Sequence, residues 1–180
     1  MMKSPIINRL KQSVRAFAVI ILIPPIGALG WAGYVRLSGN IHQIGTNDVY
    51  RSAQLSLTSF EALVQEHKIK TVLNLRGAQN DAPWYHAERH VADALGVTYI
   101  DLPLSANEEP NDETLDDLIA TMRAADKPLL IHCEGGADRS GLAAALYRRV
   151  IEGASYEKAA AELSFRYGHF PWLTSRTGAM

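Results

Sequence analysis

Residues 129–141 read LLIHCEGGADRSG, and this stretch indicates both the fold of the chain and the place of its chemistry. The large aliphatic residues at its start predict a fully buried strand, and the segment from Arg139 onwards has the spacing of a helix. A buried strand followed by a loop and a helix is the unit from which parallel α/β sheets are built. Ligands bind beyond the carboxyl ends of such strands, so we expect a functional site in the loop that begins at Cys133.

Strand and helix patterns alternate on the amino-terminal side of this unit. This alternation predicts an α/β fold with a mainly parallel central sheet flanked by helices on both faces. The predicted strands are 49–51, 71–75, 97–102 and 129–132, and the predicted helices are 57–67, 84–95, 112–125, 139–151 and 156–167.

The composition excludes several classes of protein. A hydrophobic fraction of 47% and a net charge of −1 over 180 residues exclude intrinsic disorder and leave room for one compact core. Cys133 is the one cysteine of the sequence, which excludes an intramolecular disulfide and a multi-cysteine zinc site. The balanced charge gives no sign of a nucleic-acid partner.

The loop after the buried strand has the composition of an anion-binding site with a nucleophile at its base. Gly135 and Gly136 let the backbone curl so that successive N–H groups point inward, and the following helix adds its positive end. Arg139 can bind a tetrahedral oxyanion through two parallel hydrogen bonds. These groups favour the thiolate form of Cys133, which is the nucleophilic form.

This loop resembles the signature of the cysteine-dependent protein tyrosine phosphatase superfamily, His-Cys-x5-Arg-Ser/Thr. The similarity extends to 49–52, 71–76 and 97–103, which look like the first strands of the small dual-specificity branch, and covers about residues 45–168. The positions that match the signature and its conserved glycine are His132, Cys133, Gly136, Arg139 and Ser140.

The resemblance implies a mechanism without a metal or another cofactor. Cys133 would attack phosphorus to form a phosphocysteine, which water then hydrolyses. Ser140 would hydrogen-bond the sulfur as it leaves, and His132 would support the loop from behind. The residues implied to bind the phosphate are Glu134, Gly135, Gly136, Ala137, Asp138 and Arg139.

The general acid departs from the family pattern. The usual aspartate falls near Ala106, and alanine cannot donate a proton to the leaving oxygen. Myotubularin-type lipid phosphatases and a mycobacterial secreted tyrosine phosphatase are similar in having Asp-Arg at the end of the loop, where the aspartate is a proposed acid. The sequence therefore leaves three substitutes open, which are Asp138, the pair Glu108 and Glu109, and Asp101.

The expected substrate is a phosphorylated protein, with a phospholipid or phosphoinositide head group as the alternative. Residues 105–110 also look like a segment of enzymes that act on inositol pyrophosphates. The loop from Cys133 to Arg139, called the phosphate loop below, contains two acids and no lysine, which favours a substrate with one phosphate. A rhodanese-type sulfurtransferase and an inactive phosphate-binding module are the remaining alternatives.

The amino-terminal part of the chain has a different character. Residues 16–35 carry no charge, and as a helix they would span about 30 Å, the thickness of a bilayer core. We expect a single-pass membrane anchor, with a cleaved signal peptide as the alternative. The four basic residues before it predict a cytoplasmic N-terminus and a periplasmic catalytic part. The predicted divisions are a basic segment 1–15, the anchor 16–35, a tether 36–47 and a phosphatase domain 48–180.

Overall fold

The computed structural model describes residues 27, 30, 31, 33–35, 37–105 and 107–169. The chain divides into two compact units, residues 1–35 and 36–180, and the second unit contains the sheet. Among the described residues no helix is both long enough and apolar enough to cross a bilayer. Most of the predicted anchor, 16–35, lies outside the described residues.

The second unit is built on a five-stranded sheet in the order β1-β2-β5-β3-β4. All four residues of β5 are buried, and its central position explains why its first three residues are large and apolar. β1 is antiparallel to β2 and the other neighbouring strands are parallel, which confirms a mainly parallel sheet. The strands are β1 (His42–Gln43), β2 (Val49–Ser52), β3 (Thr71–Asn74), β4 (Thr98–Asp101) and β5 (Leu129–His132).

Helices cover both faces of the sheet, and successive residues of β5 alternate between the two cores. Leu129 and Ile131 pack in the core that includes residues of α3 and α4, whereas Leu130 packs with residues of α1 and α2. The helices are α1 (Leu57–Glu66), α2 (Pro83–Ala94), α3 (Asp112–Ala124), α4 (Asp138–Leu146) and α5 (Tyr156–Ala160).

The predicted tether is part of the sheet-containing unit. β1 lies within residues 36–47, and the unit itself begins at Arg36. Polar, turn-rich sequence suggested a linker, but the side chain of Asn40 is buried and contacts the phosphate loop. A short edge strand of two residues carries too little periodicity to be recognised in a sequence.

The carboxy-terminal helices differ from their predicted lengths. The helix predicted for 156–167 ends at Ala160, and the chain continues through a 3₁₀ turn at Phe165–Tyr167. Arg51 binds both the carbonyl and the carboxylate of Glu162, and Gly168 has a φ of +78°, so tertiary contacts turn the segment back towards the sheet. The helix predicted for 139–151 changes from α to π geometry at Tyr147–Ile151.

Candidate active site

The loop after β5 curls around the sulfur of Cys133. Cys133 is 2% exposed, and the N–H of Gly136 donates a hydrogen bond to its Sγ at 3.2 Å. Gly136 has a φ of +67°, and a Cβ at this position would lie 2.5 Å from the backbone nitrogen of Ala53. Only glycine fits this position, and its geometry directs an N–H group at the nucleophile.

The first turn of α4 carries the other two residues of the signature. Arg139 is half-buried, and its Nη1 lies 3.5 Å from the carbonyl oxygen of Leu104, at the start of the loop between β4 and α3. The Oγ of Ser140 is buried and has no hydrogen-bond partner among the described residues. The site therefore combines a buried sulfur, an arginine at its edge and an available hydroxyl group.

A buried arginine supports the loop from behind. Arg51, in β2, is 0% exposed and donates from Nη2 to the carbonyls of Gly136 at 2.9 Å and Ala137 at 3.0 Å. The C=O and N–H of a peptide unit point in opposite directions. Because the carbonyls of Gly136 and Ala137 point towards Arg51, the N–H groups of the same two peptide units point away from it, towards the concave side of the loop. Burial lowers the pKa of Arg51, and the carboxylate of Glu162, 3.2 Å from Nη1, opposes this shift.

The segment before β1 and the segment after β2 also hold the loop. The Nδ2 of Asn40 donates to the carbonyl of Gly135 at 3.2 Å and to that of Tyr167 at 2.8 Å. The backbone N–H of Gln54 donates to the carbonyl of Glu134 at 3.1 Å. Four successive loop carbonyls, from Glu134 to Ala137, thus have partners on the side of the loop that faces the protein.

His132 lies in a buried polar network behind the site. Its Nε2 is 3.0 Å from Oε1 of Glu88 in α2, at ion-pair distance but not aligned for a hydrogen bond, and both side chains are buried. Glu88 also accepts hydrogen bonds from Gln54 and Tyr99. Burial raises the pKa of Tyr99, and the charge of Glu88 raises it further, so this tyrosine remains a donor.

The candidate acid Asp138 is paired with a histidine from the end of the described chain. Its Oδ1 lies 2.7 Å from Nδ1 of His169, and the two side chains are 35% and 5% exposed, respectively. Asp138 is the first residue of α4, directly before Arg139. The structure therefore places this carboxyl group at the end of the phosphate loop and against a buried imidazole.

The candidate acid Asp101 has its carboxylate oxygens engaged by three donors. Oδ1 accepts from Asn74 at 2.8 Å, and Oδ2 accepts from Tyr85 at 2.5 Å and from Arg89 at 3.0 Å. Burial is the largest cause of a raised pKa for Tyr85, and its hydrogen bond to Asp101 raises it further. This network fixes the side chain of Asp101 at the end of β4.

The candidates Glu108 and Glu109 are exposed on the loop between β4 and α3. Ala106, where the family pattern places the usual acid, lies outside the described residues. No described group of three or more histidine, cysteine, aspartate or glutamate side chains is arranged to hold a metal ion.

Sequence reasoning missed the residues that support the loop, namely Asn40, Arg51, Gln54, Glu88 and His169. Two of them leave a signal in the sequence. Arg51 is a charge inside a short strand, and Glu88 shares the buried face of α2 with Tyr85 and Ala92. A charge among core positions requires a buried partner, so both positions point to a polar network.

The fold, the buried cysteine and the curled loop are similar to the site of cysteine-dependent phosphatases. The family described as "DSP-PTPase phosphatase fused to NAD+ Kinase" matches residues 34–177. The chain belongs to this DSP-PTPase family, which confirms the resemblance to small phosphatases with the tyrosine phosphatase signature.

Characterised relatives and solved structures agree with this assignment. The dual specificity protein phosphatase TpbA of Pseudomonas aeruginosa is 32% identical over 142 residues, which cover 78% of this chain and 59% of TpbA. The matched part thus spans 59% of the length of that relative. A crystal structure of a cysteine-to-serine variant of P. aeruginosa TpbA in complex with pTyr has a TM-score of 0.59 at 29% identity and covers 73% of this chain and 76% of that one.

A more distant structure shares the fold. The core catalytic domain of the PP-IP phosphatase Siw14 from S. cerevisiae, in complex with citrate, has a TM-score of 0.60 at 22% identity. The superposition covers 71% of this chain and 75% of that one.

Proposed function

We propose that the protein hydrolyses phosphate monoesters through a phosphocysteine on Cys133, as a tyrosine or dual-specificity phosphatase. The observation that carries this proposal is the N–H of Gly136 directed at the buried Sγ within a loop that ends in Arg139. In the first step a sulfur–phosphorus bond forms, and the bond from phosphorus to the leaving oxygen breaks. In the second step water attacks phosphorus, and phosphate and the thiolate are released.

The roles of the other loop residues follow from their positions. The amides of residues 134–139 and the guanidinium of Arg139 bind the phosphoryl oxygens and stabilise the charge of the transition state. The hydroxyl of Ser140, which is buried and has no partner among the described residues, is available to hydrogen-bond the departing sulfur in the second step. His132, buried against Glu88, supports the loop and does not contact substrate.

We assign the general acid to Asp138. Both carboxylate oxygens of Asp101 are occupied by hydrogen bonds from three donors, so neither oxygen is free to meet a leaving group. Asp138 lies in the loop itself and is one third exposed, so it can reach a leaving oxygen bound there. Glu108 and Glu109 are the alternative, because the loop that carries them begins beside Arg139.

The substrate class follows from the charge of the loop and from the relatives. Glu134 is exposed at the loop, and residues 134–138 contain no lysine, so a substrate with a single phosphate is favoured over a polyphosphate. TpbA is named a dual specificity protein phosphatase, and one of its structures contains pTyr. We therefore place phosphotyrosine peptides first, and phosphoinositide head groups second.

The activity is tested with p-nitrophenyl phosphate and the full-length protein. The wild type is expected to turn over this ester, and Cys133→Ser is expected to lose at least ~10⁴-fold in kcat while it still binds vanadate. Sulfur transfer from thiosulfate without phosphatase activity would instead assign the protein to the rhodanese type. A wild type that binds vanadate tightly and is inert would be a binding module.

The substrate is tested by comparing a phosphotyrosine peptide with a phosphoinositide in mixed micelles. The proposal expects the larger kcat/KM for the peptide, and the reverse order would assign the protein to the lipid phosphatases.

The acid is tested by the dependence on the leaving group. Nitrophenolate leaves with little help, whereas phenolate needs a proton. Asp138→Asn is expected to lower kcat on phenyl phosphate by ~10²–10⁴-fold and to change p-nitrophenyl phosphate far less. Asp101→Asn should not reproduce this contrast. If the double variant Glu108→Gln/Glu109→Gln shows it instead, the acid lies on the loop between β4 and α3.

We also propose that residues 16–35 anchor the protein in the membrane with the catalytic part in the periplasm. The support is the uncharged stretch and the basic residues before it. A reporter that is active only in the cytoplasm, fused after Met180, should be inactive, and an active fusion would contradict the orientation. Retention of the intact chain in the membrane fraction separates an anchor from a cleaved signal peptide.

A further inference from the structure

The end of the described chain places one histidine against the candidate acid. His169 is 5% exposed, and its Nδ1 lies 2.7 Å from Oδ1 of Asp138. Its own backbone N–H donates to the carbonyl of Ser164 at 3.2 Å, and the left-handed Gly168 before it turns the chain back towards α4. The imidazole is thus fixed in a buried position, whereas the carboxyl group that it contacts is one third exposed.

We propose that His169 is a positioning residue for the general acid, in that it binds one oxygen of Asp138 and leaves the other to carry the transferred proton. This inference rests on the proposed function and on the assignment of the acid to Asp138. In this role the Nδ1 of His169 carries a proton and donates it in a hydrogen bond to Oδ1 of Asp138. Oδ2 of the protonated acid then holds the proton for the leaving group.

The proton count closes over the two steps. In the first step sulfur bonds to phosphorus, the bond to the leaving oxygen breaks, and that oxygen takes the proton from Oδ2. Asp138 is then a carboxylate, which the Nδ1–H of His169 stabilises through Oδ1. In the second step Oδ2 takes a proton from the attacking water, and the protonated acid is restored. The proton of His169 stays on Nδ1 throughout.

Other contacts besides that of His169 with Asp138 hold the carboxy-terminal segment in place. Arg51 donates to the carbonyl of Glu162 at 2.8 Å, and its guanidinium lies 4.4 Å from the ring centroid of Tyr167. Asn40 donates to the carbonyl of Tyr167 at 2.8 Å. Because these buried contacts fix the segment independently of Asp138, a role of His169 in orienting the carboxyl group can be separated from a role in folding.

The test compares three replacements of His169 in the full-length protein. The amide nitrogen of asparagine branches from Cγ as Nδ1 does, so His169→Asn keeps a donor at that place. His169→Gln moves the donor further out, and His169→Ala removes it. The readout is the ratio of kcat on phenyl phosphate to kcat on p-nitrophenyl phosphate, which reports the help given to the leaving group.

We expect His169→Ala and His169→Gln to lower this ratio by about 10-fold, and His169→Asn to restore it to within about 2-fold of the wild type. In an Asp138→Asn background, His169→Ala should cause no further fall in the ratio. Equal losses on both esters, or equal ratios for the Asn and Gln variants, would overturn the proposal and leave a purely structural contact.

His42→Ala is the matched control. His42 lies edge-on to the ring of Tyr167, with 4.8 Å between centroids, and its Nε2 is 3.1 Å from Oδ1 of Asn40. Its removal loosens the same turn while the contact of His169 with Asp138 remains, so both esters should be affected alike.

If Asp138→Asn matches the wild type on both esters, the acid assignment and this inference fail together. The phosphatase proposal fails separately, if the wild type does not hydrolyse p-nitrophenyl phosphate.

Discussion

The two sides of the phosphate loop differ in exposure and in origin. The side that faces solvent is formed by consecutive residues, and Glu134 and Gly135 are exposed there, with Arg139 half-buried at the edge. The side that faces the protein is held by residues from distant parts of the chain. Arg51 on that side is 0% exposed, and Asn40 is 1% exposed.

This difference teaches that the reacting groups and the groups that orient them have different physical requirements. A reacting group must reach substrate, so it can be supplied by a short local motif. The donors that turn the loop carbonyls away from the substrate must be shielded from water, because water would compete for the same oxygen atoms. Replacements on the protein side should therefore cost stability, and replacements on the solvent side should cost rate.

The largest effect is expected for Arg51→Met on the protein side. The change leaves the carboxylate of Glu162 and the carbonyl of Gly136 without their donor and removes one of the two donors to the carbonyl of Ala137. Breaking a buried ion pair costs ~3–5 kcal/mol in the free energy of unfolding. Urea unfolding measures the loss. The surface arginine variant Arg123→Met should change stability by less than ~0.5 kcal/mol, and a similar loss in both variants would contradict the role given to Arg51.

The next effect is expected for Arg139→Lys on the solvent side. A lysine cannot form two parallel hydrogen bonds to the phosphoryl group, so kcat should fall by ~10²–10³-fold. The free energy of unfolding should stay within ~0.5 kcal/mol of the wild type. Arg76→Lys is the control, because that guanidinium stacks on Trp84 at 4.1 Å and is not part of the loop. A loss of stability as large as that of Arg51→Met would erase the distinction between the two sides.

A smaller effect is expected for Gly136→Ala. Gly136 belongs to both sides of the loop, because its carbonyl accepts a hydrogen bond from Arg51 and its N–H donates to the Sγ of Cys133. The new Cβ would meet the backbone of Ser52 and Ala53 at a φ of +67°, and such strain costs ~1–3 kcal/mol. Turnover should also fall, because the N–H that points at Sγ would shift. Gly135→Ala is a close control, since its Cβ would meet nothing within 4 Å. Equal stability and rate in the two variants would show that the loop tolerates a shift at this point.

The smallest effect concerns His42 and the pH dependence of stability. Burial lowers the pKa of His42, and the charges of Arg51 and Arg166 lower it further. The unfolded chain therefore binds more protons than the folded chain as the pH falls below the ordinary value of 6.5, and stability decreases with acidification. The fall in the urea midpoint between pH 7 and pH 5 should be shallower in His42→Asn. An unchanged slope would show that His42 does not contribute.

Most of the sheet and the reacting residues could be predicted because their signals are local. β5 is an apolar run, and the bounds of α1, α2 and α3 fall within one residue of those predicted. The predicted length of the helix at 156–167 was wrong. This segment has helical spacing in the sequence, but contacts with Arg51 redirect it after Ala160. Helix propensity contributes little free energy per residue. It is overridden here because the buried guanidinium of Arg51 requires hydrogen-bond acceptors, and Glu162 supplies them.

The sequence by itself determined the order of strands β2 to β5 and of the helices between them, the family signature at residues 132–140 and the absence of an aspartate near Ala106. Each of these is a property of neighbouring residues. Only the tertiary structure decided that Asp101 is bound by Tyr85 and Arg89, and that Asp138 meets His169 across 31 positions of sequence. The environment of a carboxyl group is set by the groups that surround it in space, and folding brings those groups from parts of the chain that no spacing rule connects.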